Sequence, residues 1–336
     1  MPDNLNRAPR ARRALTVVYN PLRVDDLDDA KDTVGKVCAE HGWPEPTWVE
    51  TTAEETGEKQ AREAVRAGAD VVASLGGDGT VRAVASALVG TDVALGLFPG
   101  GTGNLLARNL GLPVGALDDA ARTVVQGRDR SIDVGVVRLG DDLPEPESSR
   151  ATKDGPAEVA DDEEIFLVMT GLGLDGEVMA DTNEKVKEAV GWVAYVLAAR
   201  TKLSGRGFTV QVRASGGEGV VGGAGRSVER HARAVIVGNC GTLQGGLELM
   251  PEAAVDDGRL DVVVMAPRGV FGWASVLADV VTRHRAGHSR LDRLVAPELT
   301  IVAQRPVEAE IDGDPVGEHR ALAIRTLPEA LVVRVG

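Results

Sequence analysis

Ser74-Leu75-Gly76-Gly77-Asp78-Gly79-Thr80 follows the apolar run Asp70-Val71-Val72-Ala73 and precedes Val81-Arg82-Ala83-Val84-Ala85-Ser86-Ala87-Leu88. The first run is short, β-branched and bounded by glycines, so it predicts a buried strand. In the second, Val81, Val84, Ala85 and Leu88 share one face at helical spacing. Three glycines and an aspartate therefore sit at a strand-to-helix turn. Backbone N–H groups there face open space, and the helix dipole favours an anion in it. Glycine lets a phosphate approach the main chain, and Thr80 can cap the helix or bind a phosphate oxygen. A turn that merely needs glycines would fit the same letters. Asp78 sets this one apart. A carboxylate against a phosphate cradle is repulsive unless a cation or proton donor lies between them.

Outward from this turn the chain alternates strand and helix. Ala14–Pro21 predicts a strand ending at the Asn20-Pro21 breaker. Asp25–His41 predicts a helix with Leu27, Ala30, Val34, Val37 and Cys38 on one stripe. A strand over Pro46–Thr52 and a helix over Glu55–Ala67 come next. Beyond the first turn, Val93–Pro99 predicts another buried strand. It enters a second glycine loop, Gly100-Gly101-Thr102-Gly103-Asn104, followed by short helices over Leu105–Leu110 and Ala116–Gln126. Such alternation implies a doubly wound parallel sheet covered on both faces. Ligands of these sheets bind at the carboxyl ends of the strands. Asn20, Thr51 and both glycine loops fall at those ends.

Composition narrows the class. A chain of 336 residues suggests about two domains. Aromatics make up 3% and the net charge is −14, which argues against nucleic acid as a partner. Ten acids and two bases between Gly140 and Glu164 account for −8 of that charge. This stretch has no apolar periodicity and is expected to be a disordered surface loop, residues 140–164. Cys38 and Cys240 have no metal-ligand spacing, and Cys38 is expected to be a buried thiol. Arg7, Arg10, Arg12 and Arg13 precede the first strand without an apolar signal region, and no apolar run reaches 18 residues. A cytoplasmic protein is expected. That arginine arm, and the basic cluster Arg283–Arg290 with Arg293, could make transient contact with an anionic membrane surface at its inner face.

From Ser131 onward the pattern changes. Strand-like runs at Ile165–Thr170, Phe208–Arg213, Arg233–Val237, Leu260–Met265, Leu299–Val302 and Val307–Ile311 are separated by glycine-rich connections, notably Gly216–Gly225. This predicts an antiparallel β-sandwich. Two apolar helices, Gly176–Thr201 and Val270–Arg283, would close its core or line an apolar cleft. Ala323–Thr326 and Leu331–Val335 are expected to return to the first domain. The domains are thus 14–134, completed by 315–336, and 135–314.

These stretches together resemble the diacylglycerol kinase family of lipid kinases, above all its soluble bacterial branch, with sphingosine kinases and NAD kinases as relations. The resemblance lies in Gly76–Thr80, Phe98–Asn104, Asn20-Pro21, Ser131-Ile132-Asp133-Val134-Gly135, Asn239-Cys240-Gly241 leading to Gly245-Gly246, Pro251-Glu252-Ala253, Asp256–Asp261 and Ile311-Asp312-Gly313-Asp314-Pro315, and it spans residues 14–336. It implies an α/β nucleotide domain and a β-sandwich domain with the active site in the cleft. The implied reaction moves the γ-phosphoryl group of ATP to a lipid hydroxyl. By that resemblance Asn20, Thr51, Gly76, Gly77, Gly79, Thr80, Gly101, Thr102 and Asn104 belong to the nucleotide loops. Asp78, Asp133 and Asp257 would form an acidic network around Mg²⁺. Alternatively, Asp257 would hold the metal with the backbone carbonyls of Ala254 and Arg259. Asp312 and Asp314 would be the catalytic acids, with Asp78 contributing from the network. Most relatives carry glutamate where this chain has Asp314, which leaves open which acid is the base. Asp175 resembles a lipid-head contact of the sphingoid kinases, and is equally a helix N-terminal acid.

The chemistry has its own logic. Phosphoryl transfer needs an anion cradle, a divalent cation on the phosphates and a carboxylate aimed at the acceptor hydroxyl. Asp312-Gly313 is also a common hairpin signal. Diacylglycerol is the first expected acceptor, within phospholipid biosynthesis. Two alternatives stand beside it: an NAD kinase-like phosphotransferase with a soluble acceptor, and a nucleotide-binding regulator that has lost catalysis. Oligomeric state is open, a homodimer included.

Overall fold

The computed structural model of the chain describes residues 14–141, 158–173, 207–215, 226–242, 249–266 and 291–336. The expected helices Gly176–Thr201 and Val270–Arg283, the Gly216–Gly225 connection, Gly245-Gly246, the arginine arm and Asp175 lie outside the described residues. So does the basic cluster apart from Arg293. No helix among the described residues is long and apolar enough to cross a membrane.

The chain divides into two compact units. The first comprises residues up to Asn104, Leu112–Arg130 and Leu331–Gly336, and the second Leu105–Gly111 and Ser131–Ala330. Of the C-terminal stretch expected to complete the first domain, only its last six residues do so.

In the first unit the strands are β1 (Leu15–Tyr19), β2 (Thr47–Glu50), β3 (Val71–Gly76) and β4 (Ala94–Pro99). They pair in parallel in the order β4-β3-β1-β2. The chain's last strand adds to β4 in parallel at Val333 and Leu95. β1, β3 and β4 are almost wholly buried, as the continuous apolar runs require for strands covered on both faces. One cover is α1 (Leu27–Glu40) with α5 (Leu117–Gln126), which pack Val34, Val37, Cys38, Ala121 and Val124 against Val17, Ala73 and Phe98. Asp26 starts α1 by accepting the N–H groups of Asp28 and Asp29. The other cover is α2 (Glu58–Arg66) with α3 (Asp78–Leu88). At the C-terminus, Arg334 caps α5. Its guanidinium donates to the carbonyls of Val124 at 2.8 Å and Val125 at 3.5 Å, and to Asp129 at 3.1 Å.

The second unit opens with α4 (Leu105–Asn109). Its described strands are the later part of β5 (Arg128–Gly140), β6 (Glu164–Phe166), β7 (Met169–Leu172), β8 (Phe208–Ser215), β9 (Arg226–Ala232), β10 (Ala234–Gly238), β11 (Leu260–Met265), β12 (Leu291–Ala296), β13 (Glu298–Ile311) and most of β14 (Asp314–Val335). The order β12-β11-β10-β7-β13-β14 is antiparallel between neighbours. β13 serves two layers. Its first half pairs with β8, its last residues pair with β7, and a register shift between Val302 and Val307 separates them. The core between the layers is aliphatic, built on Val210, Val212, Val235, Val262, Ile301 and Leu322. The β-sandwich expected from the period-2 runs is therefore present.

Two expectations change. Ile165–Thr170 is not one strand: it breaks between β6 and β7 at Leu167 and Val168, because the amides there turn toward Asp312. The acidic stretch 140–164, expected to be disordered throughout, ends in a folded segment. Arg325 grips Glu163 through both carboxylate oxygens, at 3.1 and 2.6 Å, and takes the carbonyl of Glu158 at 2.9 Å. Burial pushes the Glu163 carboxyl up, but the bond and charge of Arg325, the Ala160 amide and the charge of Arg138 together hold the group below its ordinary value. The composition argument missed this because the partner lies 162 residues away.

Candidate functional site

In the first unit, the carboxyl ends of β1, β2, β3 and β4 carry the four expected loops side by side. The Asn20 amide donates to the Leu75 carbonyl and the Thr51 amide to the Tyr19 carbonyl, each at 2.9 Å, so neighbouring loops are tied by backbone. Asn20 also accepts the Leu22 amide through its side chain, which forms the 3₁₀ turn Pro21–Arg23. Thr51 is buried and Thr80 is buried on α3. Gly77 precedes α3 with no side chain capping its first amides, while Asp78 and Gly79 are half-buried in the first turn. The N-terminus of a helix, with its amides and the positive end of its dipole, suits an anion.

The two glycine loops pack backbone to backbone. A Cβ at Gly100 would stand 2.7 Å from the Gly76 nitrogen, and one at Gly101 would stand 2.8 Å from the Gly77 Cα. One at Gly76 would meet Thr80 at 2.7 Å. Asn104, at φ 47°, closes the second loop by donating to the Gly101 carbonyl at 2.8 Å, leaving Thr102 exposed at its tip. Glycine is thus demanded here by close approach of two chains. Gly100→Ala is expected to cost about 1–3 kcal/mol of stability through overpacking. Gly115→Ala, where an added Cβ meets nothing within 4 Å, should cost little. Thermal unfolding of both variants checks this.

In the second unit the acids fall into two groups. Asp312-Gly313 is the two-residue loop of the β13–β14 hairpin, with φ 51° and 90° and Ile311 paired to Asp314. Positive φ at both central residues is the type I′ turn, whose twist matches the strands. Asp312 is 5% exposed. Its carboxylate accepts the amides of Leu167 at 3.0 Å, Val168 at 2.8 Å and Met169 at 3.1 Å. Asp314 is exposed at the start of β14. The two expected catalytic acids therefore differ in kind, since one is locked into the backbone and the other is presented to solvent.

Asp133 is 0% exposed, and its two oxygens accept the Gly258 amide at 2.6 Å and the Glu329 amide at 2.8 Å. Burial raises its carboxyl above the ordinary value. The two amides oppose that shift, and the charges of Asp257 and Asp256 add to it. The expectation that Asp133 holds metal meets a competitor, because one oxygen already closes the Asp256–Gly258 turn and the other holds the Glu329 amide. Asp257 itself is exposed, with Oδ1 accepting the Arg259 amide at 3.0 Å. Asp261 beside it is pushed up to about 6 by burial and by the charges of Asp257 and Glu252, against Arg293. Among the described residues no group of three or more His, Cys, Asp or Glu side chains is gathered for a metal. Of the expected acidic network, Asp78 belongs to the first unit and Asp133 and Asp257 to the second. The other expected set, Asp257 with the Ala254 and Arg259 carbonyls, consists of hard oxygens on one turn amid crowded negative charge. It fits a divalent cation such as Mg²⁺.

Sequence reasoning passed over three residues that hold these parts. Glu310, buried in β13, accepts the Gly313 amide at 3.0 Å. Asn239 Nδ2 donates to the carbonyls of Asp133 at 2.9 Å and Leu167 at 3.1 Å. Asn109 of α4 exchanges two bonds with the Thr242 backbone, 2.8 and 3.0 Å, so the helix after the second glycine loop is pinned to the loop after β10. Asn239 stands in a stretch quoted for the family resemblance and Asn109 in the helix expected over Leu105–Leu110, and no local pattern marks a side chain that bonds backbone over 100 residues away.

A family profile described as "Diacylglycerol kinase catalytic domain" matches residues 14–137, and one described as "YegS C-terminal NAD kinase beta sandwich-like domain" matches residues 168–335. The chain belongs to the diacylglycerol kinase-like family of lipid kinases. Among its relatives, a protein of Xanthomonas axonopodis pv. citri named "Probable lipid kinase YegS-like" is 32% identical over 80% of this chain and 79% of its own length. One of the same name from Pseudomonas putida is 28% identical over 96% of this chain and 95% of its own. A crystal structure of a diacylglycerol kinase from Bacillus anthracis str. Sterne superposes with a TM-score of 0.69 at 22% identity, covering 96% of this chain and 97% of that one. At that identity the likeness concerns the fold alone.

Proposed function

We propose that this lipid kinase transfers the γ-phosphoryl group of ATP to a lipid hydroxyl, with diacylglycerol as acceptor and phosphatidic acid as product. The observation that carries the reading is the cradle of the first unit. Two glycine loops in backbone contact stand at the N-terminus of α3 and the carboxyl edge of a parallel sheet, where a triphosphate's charge is best held. The lipid acceptor follows from the family.

Asn20, Thr51, Gly76–Thr80 and Gly100–Asn104 bind and orient the nucleotide. Asp257 with the Ala254 and Arg259 carbonyls would hold Mg²⁺, which neutralises charge on the phosphates when bound. Asp314 accepts the proton of the acceptor hydroxyl as its oxygen bonds to phosphorus and ADP departs. Asp314 takes this role rather than Asp312 because it is the exposed acid of the pair. The lipid is met at the inner membrane face by a cytoplasmic, peripherally bound enzyme.

The test uses γ-labelled ATP with Mg²⁺ and vesicles containing diacylglycerol, and in parallel NAD in solution. Labelled phosphatidic acid is expected. Label in NAD and none in lipid would overturn the reading in favour of a soluble acceptor. ATP binding without transfer to any acceptor would overturn it in favour of a regulatory nucleotide-binding protein.

A further inference from the structure

A buried chain of hydrogen bonds within the second unit joins the Asp314 hairpin to the Asp257 turn. Asp312, immediately before the hairpin's Gly313, receives the amides of Leu167, Val168 and Met169 and returns its own amide to the Met169 carbonyl at 2.8 Å. The Leu167 carbonyl accepts Asn239 Nδ2 and, at 3.4 Å, the Cys240 thiol. The Val168 carbonyl accepts the Asn239 amide at 2.9 Å. The same Nδ2 of Asn239 donates to the Asp133 carbonyl. The Asp133 amide donates to the Val255 carbonyl at 2.7 Å, and its carboxylate holds Gly258. Asp133, Asn239 and Asp312 are each at least 95% buried.

We propose that Asp312 and Asn239 are positioning residues, which tie the Asp314 hairpin and the Asp257 turn to one strand break at Leu167–Met169 so that the two acids keep a set geometry.

The physical grounds are these. A base that acts on a lipid hydroxyl must meet it, and Asp312 is turned inward onto three successive amides. Three convergent donors suit a fixed anion that anchors backbone. Those amides cannot serve a β ladder at the same time, which is why β6 and β7 are separate strands. The break costs two ladder positions, and Asp312 supplies the partners that make it tenable. Asn239 then joins two carbonyls from segments 34 residues apart through one nitrogen, as no aliphatic side chain of its size could.

The inference rests on Asp314 as the base, and its test separates the two claims. Asp312→Asn is the decisive variant. Asn-Gly is the favoured type I′ dipeptide and asparagine tolerates positive φ, so the hairpin survives while the anionic anchor is lost. Amide hydrogen exchange of the full chain is expected to speed up at Leu167–Met169 by tenfold or more. In the assay with diacylglycerol vesicles, kcat should fall about 10²-fold, with KM for ATP within about threefold, because a small displacement of a catalytic group has that effect. The acid limb of kcat against pH should persist. Asn239→Ala should speed exchange at both Leu167–Met169 and Val255–Gly258, and Asp314→Asn at neither. Loss of the acid limb in Asp312→Asn with exchange unchanged would make Asp312 the base and overturn the proposal. Unchanged exchange in Asp312→Asn also overturns it if the wild-type chain phosphorylates no acceptor, so failure of the functional reading leaves this test intact.

Discussion

Asp314→Asn is expected to lower kcat by about 10²–10⁴-fold, the range that a general base contributes, with little change in ATP affinity or unfolding temperature. Asp314 is exposed at the first residue of β14 and pairs through its backbone with Ile311, a pairing that the substitution leaves in place. Asparagine keeps the shape and removes the proton acceptor. Asp314→Glu extends the carboxylate by one methylene on the same hairpin. It should keep activity within about tenfold of wild type. Steady-state kinetics on diacylglycerol vesicles, with circular dichroism to confirm folding, measure both. A kcat within threefold of wild type in Asp314→Asn would remove the base from this position.

Asp133→Ala has the other large expected effect, and it falls on stability. The substitution removes the acceptor of the Gly258 and Glu329 amides, two part-buried bonds to a fully buried side chain. An unsatisfied donor costs about 1–3 kcal/mol when fully buried, and with these two only partly so the pair together implies a loss of about 1–3 kcal/mol. Asp133→Asn should recover little of it, since its amide nitrogen would face one of two N–H donors. Urea unfolding should show the midpoint falling with the slope unchanged. If stability held while the Mg²⁺ dependence of the reaction shifted, Asp133 would be a metal ligand, as the family resemblance implies, rather than the pin of the Asp256–Gly258 turn.

These two acids show where legibility in the sequence stops. Asp133 and Asp314 are both quoted easily in short motifs, and nothing local says that one is sealed in backbone and the other exposed. Which acid is which depends on donors that arrive from 125 and 196 residues away, at Gly258 and Glu329. The same holds for Asp312, whose partners precede it by about 145 residues. The Asp-Gly hairpin signal was readable and is present. It was readable as a turn or as a catalytic pair, and the structure uses it as a turn whose next residue is the exposed acid.

What the sequence determined by itself is the first unit's plan. Continuous apolar runs of strand length, helical stripes between them and glycines at each strand end are local patterns, and local patterns decide secondary structure and parallel order. The stretch Gly76–Thr80 was correctly placed at a strand-to-helix turn because its neighbours on both sides declare their periods. Only the tertiary structure decided why those glycines cannot be replaced, since Gly76 and Gly77 meet Gly100 and Gly101 of a different loop. It alone broke Ile165–Thr170 into two strands, folded the end of the acidic stretch onto Arg325, and divided four aspartates among anchoring, pinning and exposed roles. Hydrogen bonds to buried backbone are chosen by what the fold brings near, and that proximity is not written within any one segment of the chain.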